Sequence, residues 1–465
     1  MIGKTAVTLF FVVVTSYFVL WNVSQFLMAA MAATHLWRYQ RRRTPRARAL
    51  VAHLASPPLV SIIVPAHNEA LTIVESVRAL LALDYEACEI VVVNDGSSDD
   101  TLALLQRTFE MVEAPLAFAQ PISTARVRGI YRSVVEPGLV VVDKESAGCK
   151  ADASNAGINA ASGPLVLIID ADTVLEPDAV SRGVLPFLED PTTIATGGYV
   201  AISNGSRFEG GRITDVGMPR SWLARFQIVE YMRSFLLFRV ATASRNAVTI
   251  ISGAYGMIRR DAVIEVGGYS PTAIGEDMDL TIRLQAFFRE RQRPIRITFV
   301  PMPVCWTQAP EDLPSLRAQR CRWRRGLLQV LWRHWRAIGN PRLGAVGLGS
   351  LPYMAIFEGL GPLLEVSGVS VTMVAAILGV LNWEQFRVLL AVSILFGVAT
   401  TLVSVFLNDV FAHRYLSNRD LAILFAAALL ENAGYRQLNA WWGCVGTFQA
   451  LTGKGGWGPM KRRAF

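Results

Sequence analysis

Pro164-Leu165-Val166-Leu167-Ile168-Ile169-Asp170-Ala171-Asp172 runs six uncharged residues straight into two carboxylates separated by one small residue. A short apolar run that ends in polar residues reads as a buried parallel strand. In an open α/β sheet, ligands bind beyond the carboxyl ends of the strands, which is where Asp170 and Asp172 fall. Two carboxylates at that spacing suit a hard divalent cation that substrate phosphates also grip. Followed by Glu176-Pro177, the same residues also fit a strand end with an ordinary capped turn.

The rest of the chain bears on that choice. It has 465 residues, 52% of them hydrophobic, and a formal charge of +8. This is too apolar for an ordinary soluble protein, and long enough for one catalytic domain plus several membrane spans. The basic residues gather beside hydrophobic stretches, which favours a lipid bilayer over nucleic acid as the partner. Five widely spaced cysteines with no CxxC pair read as reduced thiols of a cytosol-facing protein, without structural zinc.

Residues 5–33 carry no charge and exceed the roughly 20 residues that cross a bilayer. Arg38, Arg41, Arg42, Arg43, Arg46 and Arg48 follow, so this end is expected in the cytoplasm. The expected order is an N-terminal transmembrane helix (1–36), a basic cytoplasmic linker (37–56) and a cytoplasmic α/β domain (57–312). An amphipathic interface helix (313–340), about four C-terminal transmembrane helices (341–450) and a basic cytoplasmic tail (451–465) complete it. Two crossings broken near Gly368, a third at 385–407 and a last at 421–445 make five spans in all. Glu358, Glu365, Glu431 and Arg436 fall inside them, where ionisable groups are costly and so face protein or a water-filled path.

Within 57–312, strands are expected at 59–64, 89–94, 194–202, 251–258 and 295–300. Asn68-Glu69 can cap a helix to about Leu83. A Gly- and Arg-rich loop covers 205–220, and a long helix 222–240. Alternating strands and helices argue for a mainly parallel, doubly wound sheet.

Four further polar clusters stand at element ends. Val64-Pro65-Ala66-His67-Asn68-Glu69 and Val93-Asn94-Asp95-Gly96-Ser97-Ser98-Asp99 can hydrogen-bond a nucleotide base and ribose, or simply cap the helices that follow. In Gly148-Cys149-Lys150-Ala151-Asp152, a lysine at a helix start can meet phosphate. Gly275-Glu276-Asp277-Met278-Asp279 opens a helix, and a carboxylate there can take a proton from an attacking hydroxyl or serve only as a cap. On the amphipathic helix, Gln319-Arg320-Cys321-Arg322-Trp323 offers arginine to a diphosphate and an indole face to a sugar ring.

In this order, Asp95, Asp170-Ala-Asp172, Glu276-Asp277 and Gln319-x-x-Arg322-Trp323 resemble the D, DxD, (T/G)ED and QxxRW series of family 2 glycosyltransferases. The resemblance is to the processive membrane polysaccharide synthases of cellulose, chitin, hyaluronan and poly-N-acetylglucosamine, and it covers about 57–323. It implies a Rossmann-like GT-A fold between transmembrane helices and an inverting transfer from a UDP-sugar to a growing polysaccharide. By that likeness Ala66, Glu69, Asp95, Lys150, Asp170, Gln319, Arg320 and Arg322 serve the donor. Asp172, helped by Asp170, holds Mg2+ or Mn2+, and Asp277 is the base. Trp323, Glu276 and the loop Ser252-Gly253-Ala254-Tyr255-Gly256, through Gly253 and Tyr255, attend the acceptor. The tail around Trp457 to Arg462 is similar to gating segments of such enzymes.

The expectation is a multi-pass enzyme of the inner (plasma) membrane. It extends a β-linked chain from UDP-N-acetylglucosamine, with UDP-glucose next, and passes it through its own spans. Accessory export subunits stay open. Glu358, Glu365, Glu431, Trp441, Trp442 and Trp457 are channel or gate candidates, or else buried partners and interface anchors. The rival readings are transfer of one sugar to a lipid carrier and an inactive membrane scaffold.

Overall fold

The computed structural model describes residues 2–42, 56–115, 119–411 and 417–453. Much of the basic linker and the tail with Trp457, Lys461 and Arg462 lie outside the described residues.

β1 (Val60–Ala66) and β2 (Cys88–Asp95) form where Val and Ile crowd together, and almost every side chain on both strands is buried. Covered on both faces, such strands read as unbroken apolar runs. The chain continues with β3 (Met111–Ala114), β4 (Val127–Ser133), β5 (Leu139–Lys144), β6 (Leu165–Ile168) and β7 (Val174–Leu175). Next come β8 (Thr193–Ile202), the hairpin β9 (Arg207–Glu209) and β10 (Arg212–Asp215), β11 (Gly256–Arg259) and β12 (Arg296–Thr307). Ten of them form one sheet in the order β3-β4-β5-β2-β1-β6-β11-β8-β12-β7.

The sheet is mixed, not mainly parallel. β5, β2, β1 and β6 run parallel, but β11 enters antiparallel between β6 and β8. Strand direction is set by the connections and not by apolar pattern, so periodicity could not have shown it. The expected strand 251–258 shrinks to Gly256–Arg259, because the residues before it turn, with Tyr255 N bonded to Ser252 O at 3.0 Å. The loop expected at 205–220 contains the β9–β10 hairpin.

The helix after β1 spans Ile73–Leu81 and begins beyond Asn68-Glu69. Asn68 instead adopts a left-handed φ of 57°, and its Oδ1 accepts from Ser98 N at 2.8 Å. The side chain expected to cap a helix thus ties the turn after β1 to the turn after β2.

Among the described residues, three helices are long and apolar enough to cross a membrane: Val7–Arg41, Val346–Ile377 and Trp383–Phe411. No break occurs at Gly368, which lies inside the helix Leu360–Ile377, so the two crossings expected there are one. Among the described residues the expected last span is two shorter helices, Asn418–Leu430 and Tyr435–Leu451. Gly434, at φ 104°, makes the turn between them. A conformation that costs glycine little is disfavoured for other residues, so this break is written into the backbone.

The first helix, Ile2–Arg42, has 41 residues. At ~1.5 Å per residue that is about 60 Å, twice the ~30 Å hydrocarbon core. Its far half therefore leaves the bilayer. There Ala29, Ala32 and Leu36 join the hydrophobic core of the sheet, together with Val405 and Leu407 of Trp383–Phe411 and Leu424 and Ala427 beyond it. One continuous apolar core thus fixes the spans to the α/β layer. The helix Trp222–Met232 runs on through a π turn, Arg233–Arg239, into Val240–Ser244 and packs against two of these spans.

Candidate active site

The functional side chains collect along the carboxyl ends of β2, β5, β1 and β6, as a doubly wound sheet directs. At the end of β5, the wholly buried Lys144 reaches Asp95 Oδ1 at 2.6 Å and Asp152 Oδ2 at 2.7 Å. The Ser146 hydroxyl donates to the other Asp95 oxygen at 3.1 Å. His67 Nδ1 lies 2.7 Å from the Asp95 carbonyl oxygen, so the turns after β1 and β2 share one floor. Ala66 is buried at that floor and offers a ligand only its backbone. Glu69 is buried too and accepts from the Thr72 hydroxyl at 3.2 Å, a turn-closing role.

Lys150 opens the helix Lys150–Ala160. Its Nζ donates to Asp170 Oδ1 at 2.5 Å and to the Gly253 carbonyl at 2.8 Å. Although burial opposes it, the charge of Asp170, reinforced by Glu276 and Asp277, raises the Lys150 pKa and keeps it cationic. Three candidate carboxylates therefore surround one lysine. Burial, with the Asp170 charge behind it, pushes the Asp172 carboxyl up to about 6. Burial likewise drives Glu276 up to about 7, against the pull of Lys150, and raises Asp277 above the ordinary carboxylate range.

Glu276 and Asp277 begin the helix Glu276–Glu290, directly after Gly275. A Cβ on Gly326 would stand 3.1 Å from Gly275 N, so only a residue without a side chain lets the two backbones approach so closely. This contact brings the helix Leu313–Arg333, with its Gln319–Trp323 cluster, against the start of the Glu276 helix. Arg322 lies within reach of the Asp170 charge, and burial lowers its pKa. Gln319 Oε1 and Glu276 Oε2 are buried with no donor among the described residues. Trp323 is 43% exposed, with the Arg320 guanidinium over its ring at 4.7 Å from the centre.

Two expected residues are placed differently. Tyr255 is 0% exposed, its hydroxyl bonded to the Ala179 carbonyl at 2.8 Å. A side chain sealed in the core cannot touch an acceptor, so Tyr255 leaves the acceptor set. Arg320 turns away from the carboxylates, pairing with Glu230 at 2.5 Å and Tyr435 Oη at 3.2 Å. It lines a cavity of about 380 Å3 between the helices, together with Tyr17, Trp21, Tyr353, Glu358 and Glu365. Glu431 lines the cavity too, held by Arg233 and Thr401 at 2.7 Å each. Of the expected tryptophans, Trp441 is 57% exposed and Trp442 packs with Leu316, Cys321 and Tyr435.

Sequence reasoning missed Lys144. Its signal was present, since Leu139-Val-Val-Val-Asp143-Lys144 has the same shape as the run that ends at Asp95. It also missed Arg239, whose Nε and Nη1 are buried with no acceptor among the described residues. No short pattern surrounds Arg239, and only the fold brings it within reach of Asp277.

Among the described residues, no three His, Cys, Asp or Glu side chains are gathered as a cage for a metal. Two neighbouring carboxylates, one raised by burial and by the charge of the other, do fit a divalent cation whose other ligands come from phosphate and water.

Residues 57–326 match the family described as glycosyltransferase like family 2. The chain is 30% identical over 274 residues to a poly-β-1,6-N-acetyl-D-glucosamine synthase of Staphylococcus aureus (strain COL), covering 59% of this chain and 56% of the relative. It is 28% identical over 300 residues to the synthase of that name from Staphylococcus epidermidis, covering 64% and 60%. The matches thus span little more than half the length of these relatives. A mannosyltransferase of Pyrobaculum calidifontis, solved with GDP-Man and Mn2+, superposes with a TM-score of 0.52 at 18% identity, covering 95% of this chain and 100% of the other. That likeness shows a GT-A fold.

Proposed function

The chain belongs to glycosyltransferase family 2, and on that premise we propose that it is an inverting, processive polymerase of a UDP-sugar. N-acetylglucosamine is the first candidate sugar, since the relatives are named for it, and glucose the second. The growing β-linked polysaccharide passes outward between the enzyme's own helices. The cavity carries this reading. Its lining mixes aromatic side chains (Tyr17, Trp21, Tyr353) with carboxylates and amides, and it takes in Arg320 of the helix that also bears Gln319, Arg322 and Trp323. Carbohydrate suits such a lining, because rings stack on aromatic faces while hydroxyls bond to carboxylates and amides.

In the reaction, Asp277 accepts the proton of the acceptor hydroxyl while that oxygen attacks the anomeric carbon. The carbon–phosphate oxygen bond breaks and UDP leaves with its electron pair. A single displacement inverts the centre without a covalent intermediate. The raised pKa of Asp277 makes it a stronger base than an ordinary aspartate. Asp172 and Asp170 would hold Mg2+ or Mn2+, which offsets charge on the diphosphate when bound. Lys150 and Arg322 add fixed positive charge on the same side. Asp95, braced by Lys144, meets the uracil. Trp323 carries the terminal sugar of the acceptor.

Membrane topology supports export. Among the described residues two candidate spans follow the sheet, an even number that keeps the α/β layer and the C-terminal helices on one side. That side is the cytoplasm of a plasma-membrane protein, by the arginines after the first span.

The test is incubation of the purified, detergent-solubilised protein with UDP-N-acetylglucosamine or UDP-glucose and Mn2+ or Mg2+. A lengthening, glycosidase-sensitive polymer is expected. UDP released without polymer defeats processivity, and a lipid carrying one sugar establishes the rival.

A further inference from the structure

Arg239 ends the π turn Arg233–Arg239. π turns are rare and recur at functional sites, because the extra residue redirects side chains. Its guanidinium stacks 4.1 Å from the centre of the Phe235 ring, which fixes its plane. Nε and Nη1 are buried and meet no hydrogen-bond acceptor among the described residues. Two buried donors of a cation left unmatched are destabilising. A fold keeps such donors where a ligand satisfies them.

The surroundings say which ligand. The charge of Arg239 interacts with those of Asp277, Tyr231 and Glu358. Asp277 is the base of the proposed reaction, and Glu358 lines the inter-helical cavity, as does Phe238, the residue before Arg239. Arg239 is therefore close to the proposed base and adjoins a residue of the cavity wall. Neighbouring carboxylates, Asp277 and Glu358, disfavour an anionic ligand at this point. A neutral oxygen does not suffer from them.

We propose that Arg239 is an acceptor-binding residue, whose Nε and Nη1 donate to oxygens of the terminal sugar of the chain, either hydroxyl or N-acyl carbonyl. It thereby sets which face of that sugar turns its hydroxyl toward Asp277. The inference rests on the polymerase reading and deepens it by assigning the residue at the hand-over from site to cavity.

The experiment compares wild type, Arg239→Gln and Arg239→Lys in detergent, using UDP-N-acetylglucosamine and a short β-linked N-acetylglucosamine oligosaccharide. UDP release without acceptor reads donor binding and hydrolysis; release with acceptor reads transfer. At a pH well above the acid limb, Arg239→Gln should raise the acceptor KM at least tenfold while UDP affinity, read by titration, stays within twofold of wild type. Arg239→Lys, which keeps the charge but loses the planar fork, should recover part of the loss. An unchanged acceptor KM in Arg239→Gln overturns the proposal, as does an equal rise in donor and acceptor KM. Wild type that hydrolyses donor but transfers to no oligosaccharide sinks the polymerase reading, and this inference with it. Intact UDP affinity in a variant excludes misfolding as the cause.

Discussion

Lys144 Nζ sits 2.6 Å from Asp95 Oδ1 in a side chain with no solvent exposure, and the same ammonium holds Asp152 at 2.7 Å. The residue assigned to the uracil is thus fastened from beneath by a buried cation. A buried charge is tolerated when paired, but removing its partner leaves the remainder stranded.

Lys144→Met should therefore destabilise the protein by about 3–5 kcal/mol, the usual cost of breaking a buried pair. UDP affinity should fall alongside, because Asp95 loses its fixed position. Thermal unfolding with and without UDP checks both. A variant with unaltered melting and UDP affinity would refute the brace.

Asp277→Asn removes the proton acceptor while keeping the shape of the side chain. General-base losses run to roughly 100- to 10,000-fold, so transfer should drop by that much while UDP binding stays within threefold. Turnover assays beside UDP titration separate the two effects. Normal turnover would take the base role away from Asp277.

Asp170 is occupied by Lys150 at 2.5 Å, whereas Asp172 is raised to about 6 and has no such cationic partner among the hydrogen bonds and ion pairs of the described residues. Asp172→Asn should accordingly abolish activation by Mn2+, and Asp170→Asn should weaken it to a lesser degree. Mn2+ titrations of turnover decide the order; the reverse ranking would make Asp170 the main ligand.

The pH profile follows from the sign of the Asp277 shift. Burial raises its pKa, so the carboxylate form is lost on acidification at a higher pH than for a free aspartate, at about 4. The acid limb of kcat/KM should lie above that value. Arg239 favours the charged form of Asp277, so Arg239→Gln should move the limb to still higher pH. A shift to lower pH in that variant would contradict the placement.

Tyr255→Phe deletes a hydroxyl that bonds only within the core, to Ala179. The expected cost is about 1 kcal/mol of stability with acceptor KM unchanged. Melting curves and acceptor kinetics test this directly, and a raised acceptor KM would return Tyr255 to the site.

How much of this was legible beforehand differs by residue. Asp170-Ala-Asp172 was readable because an apolar strand and its polar end are neighbours in sequence. Glu276-Asp277 and Gln319–Trp323 were readable for a like reason, each lying within one turn of one helix. Lys144 and Arg239 were not, since the charges around them come from other elements: Asp152 and Asp95 for one, Asp277 and Glu358 for the other. Tyr255 was misread because its neighbours in sequence resemble an acceptor loop, while its burial depends on Ala179 and β8 packing over it.

By itself the sequence determined an α/β layer between apolar helices, the order of its acidic clusters and the family they belong to. These follow from local pattern, in which hydrophobic period and adjacent polar residues suffice. The tertiary structure decided strand direction, the candidate spans with a broken last segment among the described residues, and the burial of Lys144 and Arg239 near the acidic clusters. Each of these depends on which distant side chains share a low-dielectric space, where charge pairing and close packing set the energy and sequence separation carries no information.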